Sequence, residues 1–200
     1  MKLLTTVFLL VLLSISGVAA QGSETSDGKA QALFAGGCFW CMQPPFDALE
    51  GVEETVVGFS GGDVSNPSYQ QVVAGGTGHL EVMKVTYDPE QVSYQELLAV
   101  FWRNIDPLDE GGQFCDRGEH YRAAIFPMND QQRQLAEASR DEINNSGRFD
   151  STVRTRIMDA RNFYAAEEYH QDYYLKNPLR YRYYTRSCGR QNRLDTVWGS

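Results

Sequence analysis

The sequence predicts a single α+β domain in which helices flank a mixed β-sheet, with a long irregular tail at its C-terminal end. Three observations support this prediction. Strand-like and helix-like stretches alternate along the chain, and no Pro/Gly/Ser-rich linker or repeat divides it. About 170 residues follow an apolar leader, which is an ordinary length for one domain with its own core.

Hydrophobic periodicity places the individual elements. Five stretches are predicted to be strands: Ala30–Ala35, Val52–Phe59, Leu80–Tyr87, Tyr121–Phe126 and Thr152–Met158. Five are predicted to be helices: Cys41–Leu49, Ser68–Val73, Ser93–Asn104, Asp130–Asn145 and Ala165–Leu175. Ser93 and Glu96 have the spacing of a capping box. From about residue 179 the periodicity is weak, and we expect that segment to wrap the surface.

Residues 1–20 have the pattern of a signal peptide. Lys2 supplies a positive start, Leu3–Ile15 is largely apolar, and small residues precede Gln21. The apolar run is shorter than the ~20 residues that span a bilayer, so the sequence predicts export without stable membrane association. The expected destination is a periplasm, with secretion as the alternative. Residues 21–30 are predicted to be a flexible lead-in and residues 31–200 the domain.

The charge balance limits the classes of partner. The formal net charge is −8, and no basic stripe is present to neutralise phosphates. Nucleic acid is therefore excluded as a partner. We expect a monomer.

The stretch "GCFWCMQPPF" contains two of the four cysteines. Pro44 and Pro45 lack a backbone N–H and are tolerated in a first helical turn, so the helix is expected to begin near Cys41. Cys38 would then lie at the helix N-terminus. The unpaired N–H groups there favour a thiolate, so the sequence predicts a reactive Cys38 with a lowered pKa.

Other interpretations of this cysteine pair remain open. In an exported protein, Cys38 and Cys41 could form a short structural disulfide, as in a secreted binding domain. The CxxC spacing also suits a dithiol–disulfide oxidoreductase of the thioredoxin type. A metal site is not predicted, because Cys115 and Cys188 are isolated in sequence and the histidines show no ligand spacing.

Polar residues at other element junctions suggest a site around the thiol. Glu81 lies on the same strand face as three apolar residues, where burial should raise its pKa and let it act as an acid. Tyr69, Asp116 and Tyr121 occupy loop-to-element junctions.

Six motifs in order give a resemblance to a known family. "GCFWC", "GFSGG…NPSY", "TGHLEVMKVTYDP", "FW…DP", "DRGEHYRAAIF" and "FYAAEEYHQDYYL" span residues 32–175, and "SCGRQNRL…VWG" extends the match. The sequence resembles peptide methionine sulfoxide reductase A. The resemblance implies a ferredoxin-like two-layer sandwich, repair of oxidised proteins by reduction of the S epimer of methionine sulfoxide, free or within proteins, and no metal or organic cofactor.

The resemblance also implies roles for the residues in these motifs. Cys38 would attack the sulfoxide sulfur and become a sulfenic acid, with Glu81 as the proton donor. The sulfoxide methyl group would lie against Phe39 and Trp40. The residues expected around the sulfoxide oxygen are Tyr69, Glu81 and Tyr121, with Asp116 acting through water.

A second thiol must then condense with the sulfenic acid, and a thioredoxin-like reductant must open the resulting disulfide. The candidates for this resolving cysteine are Cys188 and Cys41. Cys188 is preferred, because recycling cysteines of the family lie near the C-terminus and an irregular tail could swing to the site. Cys115 receives no role. General dithiol–disulfide exchange through Cys38 and Cys41 is the alternative function.

Overall fold

The structure is a computed structural model that describes residues 28–199. The predicted signal peptide and residues 21–27 of the predicted lead-in lie outside the described residues. Ala30, the last residue of that lead-in, already pairs with Tyr87 in the sheet. Among the described residues, no helix combines the length and apolar character needed to cross a membrane.

The chain forms eight strands and seven helices within the described range. The strands are β1 (Ala30–Gly36), β2 (Val52–Ser60), β3 (Leu80–Tyr87), β4 (Gly112–Gln113), β5 (Asp116–Arg117), β6 (Ala123–Ile125), β7 (Arg156–Ile157) and β8 (Tyr164–Ala165). The helices are α1 (Phe39–Asp47), α2 (Tyr69–Ala74), α3 (Tyr94–Arg103), α4 (Asp130–Asn145), α5 (Tyr173–Lys176), α6 (Pro178–Ser187) and α7 (Arg190–Trp198).

Six strands form one mixed sheet in the order β7-β6-β1-β3-β2-β8. The β6–β7 pair is parallel and the other pairs are antiparallel, while β4 and β5 form a separate hairpin. The central order β6-β1-β3-β2, with α1 following β1 and α3 following β3, is the ferredoxin-like arrangement. The predicted α+β sandwich with a mixed sheet is confirmed.

Alternation along β1 divides the core between the two faces of the sheet. Phe34 and Ala32 point to the face packed against the helices, whereas Leu33 and Ala35 belong to a smaller cluster on the other face. The helix-covered face buries Phe34, Phe101 and Leu97 completely. Because burying one such side chain contributes roughly 1.5–3 kcal/mol, this face is the main source of stability.

Elements with clear periodicity agree with their predictions. The bounds of β3 and α4 coincide with the predicted ones. At the start of α3, Ser93 Oγ accepts the Glu96 N–H at 3.3 Å, and the Glu96 carboxylate accepts the Ser93 N–H at 2.8 Å. The predicted capping box is confirmed, and such a cap contributes about 1 kcal/mol.

The predicted start of α1 is wrong. The helix begins at Phe39, and Pro44 and Pro45 lie inside it. Each proline leaves one carbonyl of the preceding turn without its helical donor. The helix persists because tertiary burial of Met42 and Phe46 outweighs that loss.

The predicted irregular tail is also wrong, because α6 and α7 occupy it. Leu194, Val197 and Trp198 anchor α7 in the main core, and Trp198 Nε1 donates to the Ile105 carbonyl at 2.9 Å. The helical pattern of α6 is hidden because its tyrosines lie on both faces.

Three other elements are shorter than predicted. Only Ala123–Ile125 and Arg156–Ile157 are strands within their predicted ranges. The predicted helix Ala165–Leu175 is instead the end of β8, a 3-10 turn and most of α5. Asp172 interrupts it with a left-handed backbone conformation (φ 53°).

Candidate active site

Cys38 lies between β1 and α1 as the N-cap residue of the helix. The turn that delivers it needs Gly37, which has φ 82° and no room for a side chain, since a Cβ there would lie 2.5 Å from Gln113 Cβ. The predicted placement of Cys38 at the positive end of a helix is therefore observed.

Glu81 faces Cys38 from the start of β3. Its Oε2 accepts the Phe39 N–H at 3.1 Å, and its side chain is almost completely buried. Burial raises the pKa of Glu81 well above its usual 4.5, with the Phe39 hydrogen bond acting in the opposite direction. This rise in the pKa agrees with the prediction made from the strand pattern, and it favours the neutral form of the Glu81 carboxyl.

Cys38 does not have the lowered pKa expected from its position. Burial raises the pKa of its thiol well above 9.0, and hydrogen bonding with Cys41 and the Glu81 carboxyl act in the same direction. The Phe39 N–H that could stabilise a thiolate is donated to Glu81 instead. In this closed arrangement Cys38 is a neutral thiol.

Tyr69 and Tyr121 complete a set of neutral hydrogen-bonding groups near Cys38 and Glu81. Tyr69 is the first residue of α2, Tyr121 ends the 3-10 turn before β6, and their side chains hydrogen-bond to each other. Burial raises the pKa of Tyr69 to about 12 and raises that of Tyr121 further. Both phenols therefore keep their protons at physiological pH.

Phe39 and Trp40 form an aromatic wall beside the thiol, with ring centroids 6.5 Å apart. Trp40 stacks on Tyr173 at 3.8 Å and donates from Nε1 to His170 Nδ1 at 3.1 Å. Burial lowers the pKa of His170 to about 4, which keeps the imidazole neutral and Nδ1 an acceptor. His170 and Tyr173 thus hold the indole in one orientation.

Asp116 enters the site from β5. Its Oδ2 accepts a hydrogen bond from the Tyr184 hydroxyl at 2.5 Å. Burial raises the pKa of Asp116, and the bond from Tyr184 opposes this. The other six residues predicted for the catalytic centre and the substrate site therefore lie around the buried Cys38 thiol.

Helix α6 and the first residue of α7 add groups that the sequence prediction missed. Tyr184 hydrogen-bonds the Cys38 side chain and Tyr181 that of Cys41. Arg190 is buried next to Cys41, and its guanidinium lies 4.5 Å from the Phe114 ring. The available signal was the spacing of Tyr181, Tyr184 and Cys188, which recur every three or four residues on one helical face.

The four cysteines fall into two pairs. Cys38 and Cys41 are free and buried, with hydrogen-bonded side chains, whereas Cys115 and Cys188 form a disulfide. The argument from an irregular tail in favour of Cys188 as the resolving cysteine therefore does not hold. Cys115, to which the sequence assigned no role, is the partner of Cys188.

The described side chains grouped near the site do not form a set of free metal ligands. Within residues 28–199, Cys115, Asp116 and Cys188 lie close enough together to act as ligands, but the disulfide occupies both sulfurs. The arrangement suits a different chemistry. A thiol, a neutral acid and two phenols around an aromatic wall can accept an oxygen from a substrate that carries a small apolar group. The fold and site define a cysteine-dependent reductase.

Comparison with known proteins agrees with this class. The family model described as "Peptide methionine sulfoxide reductase" matches residues 30–200. The chain therefore belongs to the peptide methionine sulfoxide reductase family, whose members reduce methionine sulfoxide through cysteine chemistry.

Individual relatives cover nearly the whole domain. Peptide methionine sulfoxide reductase MsrA of Bacillus licheniformis is 49% identical over 174 residues, which are 87% of this chain and 96% of the relative. The Bacillus subtilis protein of the same name is 48% identical and covers 88% and 99%. Reduced Mxr1 from Saccharomyces cerevisiae superposes with a TM-score of 0.70 at 31% identity, covering 78% of this chain and 90% of that one.

Proposed function

We propose that this protein reduces the S epimer of methionine sulfoxide, free or within oxidised proteins, and so repairs them. The observation that carries the proposal is the buried Glu81 carboxyl beside the Cys38 thiol, next to the wall of Phe39 and Trp40.

The first step transfers oxygen between two sulfur atoms. The Cys38 sulfur attacks the sulfoxide sulfur while Glu81 donates a proton to the oxygen, which Tyr69 and Tyr121 also hydrogen-bond. The oxygen then passes to the Cys38 sulfur as the methionine S–O bond and the S–S bond formed by the attack break, so methionine leaves and Cys38 carries a sulfenic acid. The thiol proton of Cys38 replaces the proton that Glu81 donated. The thiol loses two electrons and the sulfoxide gains them.

Selectivity for one epimer follows from the two different groups of side chains around the thiol, one aromatic and one hydrogen-bonding. The methyl group fits Phe39 and Trp40, and the oxygen fits the proton donors, so Cys38 can approach only one configuration of the sulfur. The other epimer would place its oxygen against the aromatic wall and leave buried donors unpaired, which costs about 1–3 kcal/mol for each group.

We assign the resolving step to Cys41. Its side chain already contacts that of Cys38, and its pKa is lowered by the hydrogen bond with Cys38 and by the Arg190 charge. The Cys41 thiolate attacks the sulfenic sulfur, an S–S bond forms, and the oxygen leaves as water. Cys38 and Cys41 are each only 5% exposed, which disfavours general disulfide exchange with other proteins.

The disulfide is then transferred from Cys38 and Cys41 to Cys115 and Cys188. A thiolate of this second pair attacks the Cys38–Cys41 disulfide, its partner attacks the mixed disulfide, and Cys38 and Cys41 leave as thiols. The observed arrangement, with Cys38 and Cys41 free and Cys115 bonded to Cys188, corresponds to the product of this exchange.

An external dithiol protein of the thioredoxin type reduces the Cys115–Cys188 disulfide in the final step. A crystal structure of the relative Mxr1 in complex with Trx2 supports such a partner. The pattern of residues 1–20 supports export to a periplasm or to the medium. The reductant then has to be present outside the cytosol.

The proposal is tested by turnover of resolved sulfoxide epimers with dithiothreitol. We expect reduction of the S epimer alone and no activity in Cys38→Ser. Equal turnover of both epimers would refute the stereochemical proposal, and activity of Cys38→Ser would refute the catalytic one. Peptide mapping after one turnover without reductant should find the Cys115–Cys188 disulfide in the wild type and a Cys38–Cys41 disulfide in Cys188→Ser.

A further inference from the structure

We propose that the outer face of α6 is the docking surface for the protein that reduces the Cys115–Cys188 disulfide. The outer face comprises Leu179, Arg182, Tyr183, Arg186 and Ser187. The partner it fits is a dithiol protein whose reactive cysteine is surrounded by apolar and acidic side chains. This inference rests on the proposed recycling through that disulfide.

The position of the disulfide requires contact with this region. A thiol donor has to bring its own sulfur into bonding distance of Cys115 or Cys188. Cys115 is exposed and Cys188 directly follows Ser187 at the end of α6. Any protein that reaches these sulfurs therefore also covers the surface around them. The last two turns of α6 directly precede Cys188 in the chain and are part of that surface.

The inward face of the same helix is already occupied. Tyr181 and Tyr184 contact the side chains of the buried cysteine pair, and Cys188 is bonded to Cys115. Cys188 lies on this inward face at the C-terminal end of the helix, so a partner reaches the disulfide around that end, where Cys115 is exposed. The partner can then rest on the outer face of α6 without disturbing the contacts over Cys38.

The outer face exposes one large aliphatic and one aromatic side chain. Across residues 28–199, the exposed large apolar and aromatic side chains are Tyr169, Leu175, Leu179 and Tyr183. All four lie between residues 169 and 183, shortly before Cys188 in the chain. Leu179 is 74% exposed and Tyr183 76%, and their i, i+4 spacing puts them side by side. Aromatic and aliphatic side chains clustered in this way supply the desolvated centre of an interface.

The charge of α6 is opposite to that of the whole protein. The helix contains Arg180, Arg182 and Arg186 and no acidic residue, whereas the chain has a net charge of −8. All three arginines are exposed, and none forms an ion pair within the described part of the chain. A local positive patch beside the disulfide would steer an acidic partner to it and orient the partner.

The test uses full-length protein with thioredoxin, kept reduced by thioredoxin reductase and NADPH. Leu179→Ser and Arg182→Glu are compared with Arg140→Glu, a charge reversal on α4, away from the disulfide. We expect both α6 variants to raise the KM for thioredoxin at least about fivefold at low salt. High salt should diminish the effect of Arg182→Glu and leave that of Leu179→Ser.

Dithiothreitol-driven turnover separates this inference from the proposed function. It should be unchanged in both α6 variants, since neither side chain touches the catalytic residues. If dithiothreitol supports no turnover in the wild type, the proposed function fails. If that turnover is normal, an unchanged KM for thioredoxin in both variants, or an equal rise in Arg140→Glu, overturns the docking surface. A rise in the KM for an oxidised substrate protein instead would assign the face to substrate binding and overturn it as well.

Discussion

The Tyr184 hydroxyl donates to Asp116 across the mouth of the site, and it also hydrogen-bonds the Cys38 side chain. One turn further along the chain, Cys188 is bonded to Cys115, the neighbour of Asp116. A hydrogen bond and a covalent bond thus hold α6 over the Cys38 thiol. Cys38 is only 5% exposed in this arrangement.

Opening the Cys115–Cys188 disulfide should make Cys38 more accessible. We expect Cys38 in Cys115→Ser/Cys188→Ser to react with iodoacetamide about tenfold faster than in the oxidised wild type, because a helix held by weaker contacts opens locally more often. Mass spectrometry of the Cys38 peptide measures the rate. Equal rates in the two proteins would show that the disulfide does not control access.

The same disulfide should stabilise the fold. It joins residues that are 73 apart in sequence. Loop-closure entropy predicts a contribution of about 4 kcal/mol to the free energy of unfolding. Urea unfolding of Cys115→Ser/Cys188→Ser against the oxidised wild type measures it. Cys41→Ser removes a free buried thiol and serves as the control, with a smaller loss expected.

Glu81 should make the stability of the protein decrease as pH rises. Its carboxyl binds a proton more tightly in the folded protein than in the unfolded chain, so its contribution is complete below about pH 4.5 and is lost as pH rises through the raised pKa. Between these limits the slope approaches about 1.4 kcal/mol per pH unit. Glu81→Gln should lack this decrease, while Glu142→Gln on the exposed face of α4 should keep it.

Glu81→Gln should also impair catalysis, because an amide cannot deliver the proton that the departing oxygen needs. We expect kcat/KM for methionine sulfoxide to fall about 10²- to 10⁴-fold. Steady-state assays with dithiothreitol measure this. Activity within a few-fold of the wild type would exclude Glu81 as the acid.

His170 should control how well the aromatic wall binds the substrate. His170→Phe removes the acceptor of Trp40 Nε1, so the indole loses its fixed orientation. We expect the KM for methionine sulfoxide to rise about tenfold, equivalent to about 1.4 kcal/mol. His170→Asn keeps an acceptor near the position of Nδ1 and should restore most of the binding.

Neither variant should change the pH dependence of substrate binding between pH 6 and 9, because the pKa of His170 is about 4 and the ring is already neutral there. A change in that range would mean that the imidazole is charged during binding.

The sequence predicted the α+β sheet with its main strands, and its family resemblance predicted which six side chains gather around the Cys38 thiol. The strands and helices could be predicted because segments such as Leu80–Tyr87 and Asp130–Asn145 have strong periodicity. The site residues could be named because the motifs that contain them resemble those of a known family in the same order. Local patterns of this kind survive in the folded protein because each is reinforced by burial of one face.

Only the tertiary structure decided the state of the thiols and the course of the tail. Whether Cys38 is a thiolate depends on burial and on which group accepts the Phe39 N–H, and neither is visible in a linear motif. The pairing of Cys115 with Cys188 and the covering of the site by α6 depend on contacts between residues far apart in sequence. Local periodicity carries no information about contacts of that kind. It reports which residues of one segment share a face, and not which distant segment that face packs against.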